Sequence, residues 1–492
     1  MQRTKLLHQK LRQNANQTVH IAGHGWTGAL GTGTDTMTES LTSSVTPTQR
    51  ENEFTSLPGT IQNVTRAAAG WGHTVLATRD NQLHVAGRPY DFHTLLRLYR
   101  MPSMIRRFTV MQSLMMEKND EPGILGRIVD SVFRNSKNPD GEKEESYHRA
   151  IIPEFREIFL PDGDLPKSEQ ALGAKTLAAS AGLTAIVGES GKLYTFGLNQ
   201  RGQCGNGDRK AHHVWEPRTV LLKEDEDEDT VSGHALENIT QVALGLQHGL
   251  ALNEDGLLFG WGKGARGQLG QSRFKTDKFE DGREPSIDIE YGAIPIDEFE
   301  LFTEHSRSTL SGNDSRVRSM SAGWNHSGCI TESNHAFVWG KNVLAKMKDA
   351  KLMPVDSPNP TWVQGLPRGM EIKLISCGSH HTSFLMEDNS VYAIGIATDS
   401  AEPLGETAVQ IVPPGLINSP ITQFSSHFDR TTIVAGDGGK EQQVLEMQMW
   451  STEDLRSAAV FEPEWLETLT RDESRVEVVE RGWMHTVVLT SS

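Results

Sequence analysis

Four segments of the chain share one alternation of apolar and polar positions. Each contains a glycine, a histidine three residues later, a short apolar run, a polar turn, and a second apolar run that ends in glycine. The segments are 67-AAAGWGHTVLATRDNQLHVAG-87, 242-VALGLQHGLALNEDGLLFGWG-262, 320-MSAGWNHSGCITESNHAFVWG-340 and 375-ISCGSHHTSFLMEDNSVYAIG-395. Apolar runs joined by turn dipeptides, such as Asp80-Asn81 and Asp255-Gly256, predict two-stranded β-hairpins.

The spaced glycine and histidine of these segments, here called the anchor residues, recur along the whole chain. Complete pairs are Gly70/His73, Gly245/His248, Gly323/His326, Gly378/His381 and Gly482/His485. Two weaker copies fill the gaps, with Ser180 and Leu183 in one and His427 and Arg430 in the other. Seven units at blade-sized spacings predict a repeat architecture in which the anchor residues are structural.

The seventh unit has a first strand but no downstream second strand, because the chain stops at Ser492. The segment 18-TVHIAG-23 resembles the missing strand. Pairing of the N-terminal strand with the C-terminal blade would close a ring and remove exposed sheet edges. The sequence therefore predicts an all-β fold, a seven-bladed β-propeller over residues 18–492.

A second motif follows several hairpins. Its clearest copy is 261-WGKGARGQLG-270, and 197-GLNQRGQCG-205 and 23-GHGWTGALG-31 are close to it. Together with the Gly-x-x-His-Thr element, this motif resembles the repeat of the regulator of chromosome condensation family. The acid-free leader and the GHGWTGALG strand are similar to the mitochondrial branch, the G-exchanging-factor-like propellers. The resemblance implies that the chain acts on a small GTPase by displacing its nucleotide, without covalent chemistry.

Part of this motif matches the dinucleotide fingerprint. Gly262, Gly264 and Gly267 have the G-x-G-x-x-G spacing that elsewhere places pyrophosphate at a helix N-terminus. The same pattern recurs at 23–28, so we interpret it as a blade-exit turn whose glycines permit positive φ angles. No phosphate-binding loop ending in Gly-Lys-Ser/Thr is present, and no motif fixes a nucleophile. We expect no cofactor and no enzyme activity beyond nucleotide exchange.

The anchor histidines raise the alternative of a metal site on the propeller axis. They lie on separate units, without cysteine or carboxylate at ligand spacing, so we expect no metal. We expect each imidazole to satisfy buried backbone groups beside its neighbouring strand. Cys204 replaces the leucine of the Gln-Leu-Gly element, and we expect it to be a buried apolar residue.

Three intervals between units exceed the bare repeat, and we assign insertions to about 88–173, 208–236 and 272–315. The first contains 94-TLLRLYRMPSMIRRFTVMQSLMM-116, which we expect to be partly helical and which carries four arginines and no acidic residue. These candidate partner-binding residues are Arg97, Arg100, Arg106 and Arg107. Such a segment can dock on an anionic membrane surface or a protein partner, or else pack its helices over one propeller face.

The second insertion contains a run of six acidic residues. Its candidate partner-binding residues are Glu224, Asp225, Glu226 and Asp227. Successive like charges repel and are typical of a solvated loop. The alternative is an electrostatic attraction for a basic protein partner.

Composition narrows the class of partner and the compartment. The chain has 48 basic and 64 acidic residues, so its net charge of −16 disfavours direct DNA binding. Three cysteines without a CxxC pair indicate a reducing compartment. Residues 1–34 contain no acid, and 1–17 are either a mitochondrial targeting leader or a disordered tail. We expect a mitochondrial protein, with the cytoplasm as the alternative, and a monomer.

Two functional hypotheses remain open. The first is an interaction propeller that acts as a guanine nucleotide exchange factor-like regulator of a small GTPase in mitochondria. The second is a scaffold or assembly factor for the mitochondrial ribosome or a respiratory complex, without exchange activity. A chromatin-bound nuclear exchanger is disfavoured, because no basic nuclear-localisation cluster is present.

Overall fold

Within the part of the chain that the structure describes, the strands form seven separate sheets arranged as the blades of a propeller. The computed structural model describes residues 17–23, 29, 55–56, 61, 63–79, 82–87, 155–161, 176–223, 233–271, 289–349 without 298, 304, 305 and 311, 351–397, 402–436 without 428 and 429, 442–448, and 460–491 without 464, 471–473, 483 and 484. The prediction of an all-β, seven-bladed propeller is confirmed. The segment expected to be helical, 94–116, lies outside these residues.

The first three blades each have four strands. In chain order, β1 (Gln17–Gly23) and β2 (Thr55–Ser56) come first and belong to the last blade. Blade 1 consists of β3 (Val64–Ala69), β4 (His73–Thr78), β5 (Leu83–Gly87) and β6 (Arg156–Ile158). Blade 2 consists of β7 (Thr176–Ala179), β8 (Leu183–Val187), β9 (Leu193–Leu198) and β10 (His213–Thr219). Blade 3 consists of β11 (Ile239–Leu244), β12 (His248–Asn253), β13 (Leu258–Lys263) and β14 (Ile289–Ile296).

Blade 4 is the largest of the seven sheets, with six strands. It consists of β15 (Glu300–Thr303), β16 (Ser306–Thr309), β17 (Val317–Ala322), β18 (His326–Thr331), β19 (Ala336–Lys348) and β20 (Lys351–Trp362), with a 3₁₀ turn at Gly312–Ser315. Blade 5 consists of β21 (Ile372–Cys377), β22 (His381–Met386), β23 (Val391–Gly395) and β24 (Val409–Val412). Blade 6 consists of β25 (Ile421–His427), β26 (Arg430–Ala435), β27 (Gln443–Gln448) and β28 (Val460–Phe461).

Blade 7 joins the two ends of the chain. After the short helix α1 (Leu466–Thr470), the chain forms β29 (Arg475–Arg481) and β30 (His485–Ser491). Strand β1 pairs with β30 in antiparallel register from Gln17↔Ser491 to Gly23↔His485, and β2 continues the sheet. The predicted closure of the ring is therefore confirmed. None of the helices in the described part of the chain has the length and apolar character that a membrane crossing requires.

The hairpin predicted from each repeat is the middle pair of strands in its blade. The preceding strand lies nearest the axis, and a fourth strand lies on the outside. Three outer strands, β6, β10 and β14, fall inside the ranges assigned to the insertions, so those ranges include blade residues. The apolar core lies between neighbouring sheets: one cluster packs Val75 of blade 1, Ile186 of blade 2 and Ala251 of blade 3 together.

Strands β19 and β20 are unusually long, at 13 and 12 residues. Strand β19 passes the anchor level where Gly340 pairs with His326, and the two strands stay paired to Lys348↔Lys351. We call residues 341–349 and 351–355 the arm. It extends from the face of the ring on which the anchor residues lie.

Candidate functional site

Each anchor glycine turns the chain from the first strand of its blade into the second. In blade 3 the N–H of Gly245 donates to the C=O of His248 at 2.9 Å, and the other four pairs make the same bond at 2.8–2.9 Å. The imidazole of His248 lies against Gly245, where a Cβ atom would overlap the ring. The Gly-x-x-His spacing is therefore a single steric unit, because the histidine occupies the space that the glycine leaves.

The five anchor imidazoles link each blade to the next. Four of them have Nε2 within hydrogen-bond distance of a hydroxyl: His485 to Thr74 at 2.8 Å, His73 to Thr184 at 2.9 Å, His248 to Ser327 at 3.0 Å and His381 to Thr431 at 3.3 Å. Each hydroxyl belongs to the residue after the anchor position of the next blade. His326 reaches the backbone C=O of His381 at 3.2 Å. The prediction that each anchor imidazole binds a backbone group is thus correct for His326. The other four imidazoles bind hydroxyls, because a Thr or Ser side chain lies within their reach.

These imidazoles are neutral, and the bonds of His248 show which of its ring nitrogens carries the proton. Ser327 donates its one hydroxyl proton to the C=O of Gln268 at 3.0 Å, so Nε2 of His248 must carry the proton of their shared bond. Burial lowers the pKa of three anchor histidines to about 3 and of two to about 4; these are His73, His248 and His381, and His326 and His485. At neutral pH these groups hold blades together and do not exchange protons with a substrate.

Two blades replace the histidine link. Blade 2 has Leu183 at the histidine position, and the facing position of blade 3 is Gly249, which has no hydroxyl to be satisfied. In blade 6, Arg430 takes the position, and its Nη1 lies 3.2 Å from Oε2 of Glu446. Arg481 of blade 7 contacts the other oxygen of the same fully buried carboxylate. A triad of ions around one buried carboxylate therefore joins blades 6 and 7.

The first strands end around a cavity of about 220 Å³ on the axis, with all seven blades in its wall. Trp71 of blade 1 and Trp324 of blade 4 both line it, and their ring centroids are 5.4 Å apart. His427 and Glu480 also line it, with Nε2 and Oε2 at 3.9 Å. Burial lowers the pKa of His427 to about 4 and raises the pKa of Glu480 to about 8, so both are mainly uncharged at pH 7.

No site for a metal is found among the described residues, where no three His, Cys, Asp or Glu side chains come together. The thiols of Cys204, Cys329 and Cys377 are all buried. Burial raises the pKa of each thiol, for Cys377 to about 11. Because the thiolate is the reactive form, these cysteines are poor nucleophiles, and Cys204 is the buried residue that the sequence predicts.

The blade-exit motif is held by the next blade. The indole N–H of Trp261 donates to the C=O of Gln203 at 2.7 Å, and that of Trp339 to the C=O of Gln268 at 2.9 Å. Gly267 has a φ of +81°, and the turn is capped where the side chain of Gln268 accepts the N–H of Arg266 at 2.8 Å. The glycine pattern is therefore architectural, as interpreted from its recurrence.

The partner-binding candidates from the sequence lie outside the described residues. These are Arg97, Arg100, Arg106, Arg107, Glu224, Asp225, Glu226 and Asp227. The arm is a surface that sequence reasoning missed. The sequence feature that could have predicted this hairpin is the similarity of Lys346-Met347-Lys348 and Lys351-Leu352-Met353 on the two sides of a short turn.

Comparison with known proteins identifies the repeats. The family described as "Regulator of chromosome condensation (RCC1) repeat" matches residues 190–252 and again 239–268. The ultraviolet-B receptor UVR8 of Arabidopsis thaliana is 28% identical over 255 residues, which are 51% of this chain and 48% of the receptor. The guanine nucleotide exchange factor SRM1 of Saccharomyces cerevisiae is 23% identical over 284 residues, 56% of this chain and 51% of that protein. The chain thus spans about half the length of these relatives.

A solved structure has the same architecture. The crystal structure of Prp20p from Saccharomyces cerevisiae, described with its binding to Gsp1p and histones, matches with a TM-score of 0.57. The match covers 99% of this chain and 94% of Prp20p at 17% sequence identity, so it concerns the fold. The chain therefore carries matched RCC1 repeats within residues 190–268 of a closed, seven-bladed propeller.

Proposed function

We propose that the chain is a non-catalytic interaction propeller that regulates a small GTPase as a guanine nucleotide exchange factor. The observation that carries the proposal is the similarity to SRM1, an exchange factor aligned over 56% of this chain. Exchange requires a surface that stabilises the nucleotide-free GTPase and makes or breaks no covalent bond. The buried, neutral anchor histidines and buried thiols are compatible with that activity.

The anchor face is the surface proposed for the GTPase. The mouth of the axial cavity, the blade-exit turns and the arm all lie on this side of the ring. Arg266 is an exposed residue of an exit turn on this face, with 57% of its side chain accessible. Asp255 is an exposed residue in the hairpin turn on the opposite face. This pair offers matched charge reversals on the two faces.

Exchange is tested first by capture and then by rate. The full chain is incubated with organelle lysate under EDTA, and a retained small GTPase should be released by added GTP. The purified GTPase, loaded with a fluorescent GDP analogue, should then lose it at least tenfold faster in the presence of the chain. Arg266→Glu should reduce this acceleration and Asp255→Lys should leave it unchanged. An unaccelerated release of GDP would contradict the exchange proposal.

The alternative is a scaffold or assembly factor without exchange activity. The arm favours it, since a projecting hairpin can hold a protein partner without acting on a nucleotide. Recovery of ribosomal or respiratory-complex proteins that GTP does not release would support this alternative. This recovery would support the scaffold only if the chain also fails to accelerate the release of GDP from the GTPase.

We propose mitochondria as the compartment, because residues 1–34 contain no acidic residue and residues 1–12 contain four basic ones. Residues 1–17 fused to a fluorescent reporter should direct it to mitochondria. Replacement of the basic residues in that fusion by glutamine should abolish the import. A diffuse cytosolic signal from the unmodified fusion would contradict the assignment.

A further inference from the structure

The tip of the arm displays apolar and basic side chains to solvent. Met347 is 59% exposed and Met353 is 40% exposed. Lys346, Lys348 and Lys351 are exposed beside them. On a chain of net charge −16, three lysines on one hairpin form a local basic surface.

The register places these lysines on one face. Residues that pair across two antiparallel strands point to the same side, and residues two apart along a strand do so as well. Lys346 pairs with Met353, and Lys348 pairs with Lys351. The three lysines and Met353 therefore share a face, which we call the basic face of the arm.

The basic face contains an unfavourable contact. Lys348 and Lys351 are directly opposite each other, and like charges in that position destabilise a strand pair. In the described residues, no carboxylate forms an ion pair with either lysine. An anionic group bound between them would relieve the repulsion, so the face is complementary to acidic side chains.

The register also leaves one edge of the arm open. Pro354 has no N–H, so its pair with Ala345 cannot be a hydrogen-bonded one. Hydrogen-bonded and non-hydrogen-bonded pairs alternate along an antiparallel ladder, so Ala345 and Met347 both belong to non-hydrogen-bonded pairs. Their N–H and C=O groups therefore point away from β20. Beyond Gly340, β19 pairs within the described residues with β20 alone. Ala345 is only 6% exposed, so the part of this edge that is open to another strand lies at Met347, whereas Pro354 interrupts the edge of β20.

We propose that the arm binds an acidic, extended segment of a protein partner, which adds as a strand along β19 and places its carboxylates beside the basic face. Main-chain hydrogen bonds to the exposed Met347 would supply the pairing. The lysines would select acidic sequences, and the exposed methionines would accept apolar side chains of varied shape. The proposal does not depend on exchange activity.

The binding test uses the full chain and a capped, fluorescein-labelled ten-residue peptide of alternating glutamate and valine. Fluorescence anisotropy should show saturable binding that weakens as salt rises, since exposed charges are screened. A peptide of alternating lysine and valine should not bind. Lys348→Glu replaces the like-charge pair by an attractive one, so the arm should stay folded while affinity falls at least fivefold. The matched control Lys210→Glu, at an exposed lysine of blade 2, should change affinity less than twofold.

A second variant tests strand addition separately from charge. Met347→Pro removes one outward-facing N–H and leaves the hydrogen-bonded pairs of the arm intact, so it should also weaken binding at least fivefold. Equal binding by Met347→Pro and the unmodified chain would overturn the strand-addition part of the proposal. Equal binding by Lys348→Glu would overturn the assignment to the arm. Failure to bind the acidic peptide, together with binding to phosphatidylserine vesicles, would replace the protein partner by a membrane surface.

Discussion

Acid should destabilise this propeller through its anchor histidines. The five imidazoles have pKa values of about 3 to about 4 in the folded chain, against 6.5 for an exposed histidine. The unfolded chain therefore binds more protons than the folded chain at mildly acidic pH. The contribution of these neutral imidazoles to the free energy of unfolding is fully present above pH 6.5, and it is lost progressively as the pH falls toward their pKa values in the folded chain.

The size of the effect follows from the pKa differences. Each such histidine costs about 2 kcal/mol of stability between pH 7 and pH 5, and five cost roughly 9 kcal/mol. In the same interval Glu480, with its raised pKa, adds stability as the pH falls, and His427 removes a similar amount, so these two roughly cancel. Because a typical domain is stable by about 5–15 kcal/mol, the chain should unfold near pH 5.

Urea unfolding followed by tryptophan fluorescence between pH 7.5 and pH 5 measures this dependence. His248→Asn should lower stability at pH 7.5, because it breaks the link to Ser327. It should also reduce the pH slope near pH 5.5 by about 1 kcal/mol per pH unit, because one neutral imidazole is gone. His234→Asn, at an exposed position, is the control and should leave the slope unchanged. An unchanged slope for His248→Asn would refute the buried, neutral state of this imidazole.

Three further substitutions or truncations follow from the same contacts. Gly323→Ala should lower the free energy of unfolding, measured by the same urea titration, by about 1–3 kcal/mol, because the new methyl overlaps the anchor imidazole. Gly233→Ala is the control: it has open space around it and should leave that free energy unchanged. Deletion of residues 1–23 removes β1 and exposes the edge of β30, so light scattering should show aggregation. A truncated chain that is as stable and as free of aggregates as the full chain would contradict the closure of the ring by β1. Glu446→Gln should lower the free energy of unfolding by about 2–4 kcal/mol, because it leaves two half-buried arginines without their buried anion. A melting temperature equal to that of the unmodified chain would contradict the role of the triad.

The middle strands of each blade could be predicted because they carry the repeat. Anchor residues such as Gly245 and His248 are fixed by mutual contact, so their spacing survives in the sequence. The outer strands could not be predicted in this way. Strand β6 has three residues, two of them exposed, and its apolar content is too low to distinguish it from a loop.

The site was harder to predict than the fold. Four of the five anchor histidines bind hydroxyls of the following blade, and one sequence does not display this relation between residues 50 to 411 positions apart. The arm was missed because its lysines and methionines are typical of a loop. Its identity as a hairpin depends on the continued pairing to Lys348↔Lys351.

The closure of blade 7 has a consequence for the synthesis of the protein on the ribosome. Strand β1 is made first, but its partner β30 ends at Ser491. His20 of β1 and Thr490 of β30 are 470 positions apart, so at typical rates of about 5–20 residues per second the second strand follows the first by about 24–94 s. Throughout that time β1 has no β30 to pair with, and the growing ring has two open edges. We expect the nascent chain to depend on chaperones until β30 has been made, and an arrest of translation before that point to yield an aggregation-prone chain.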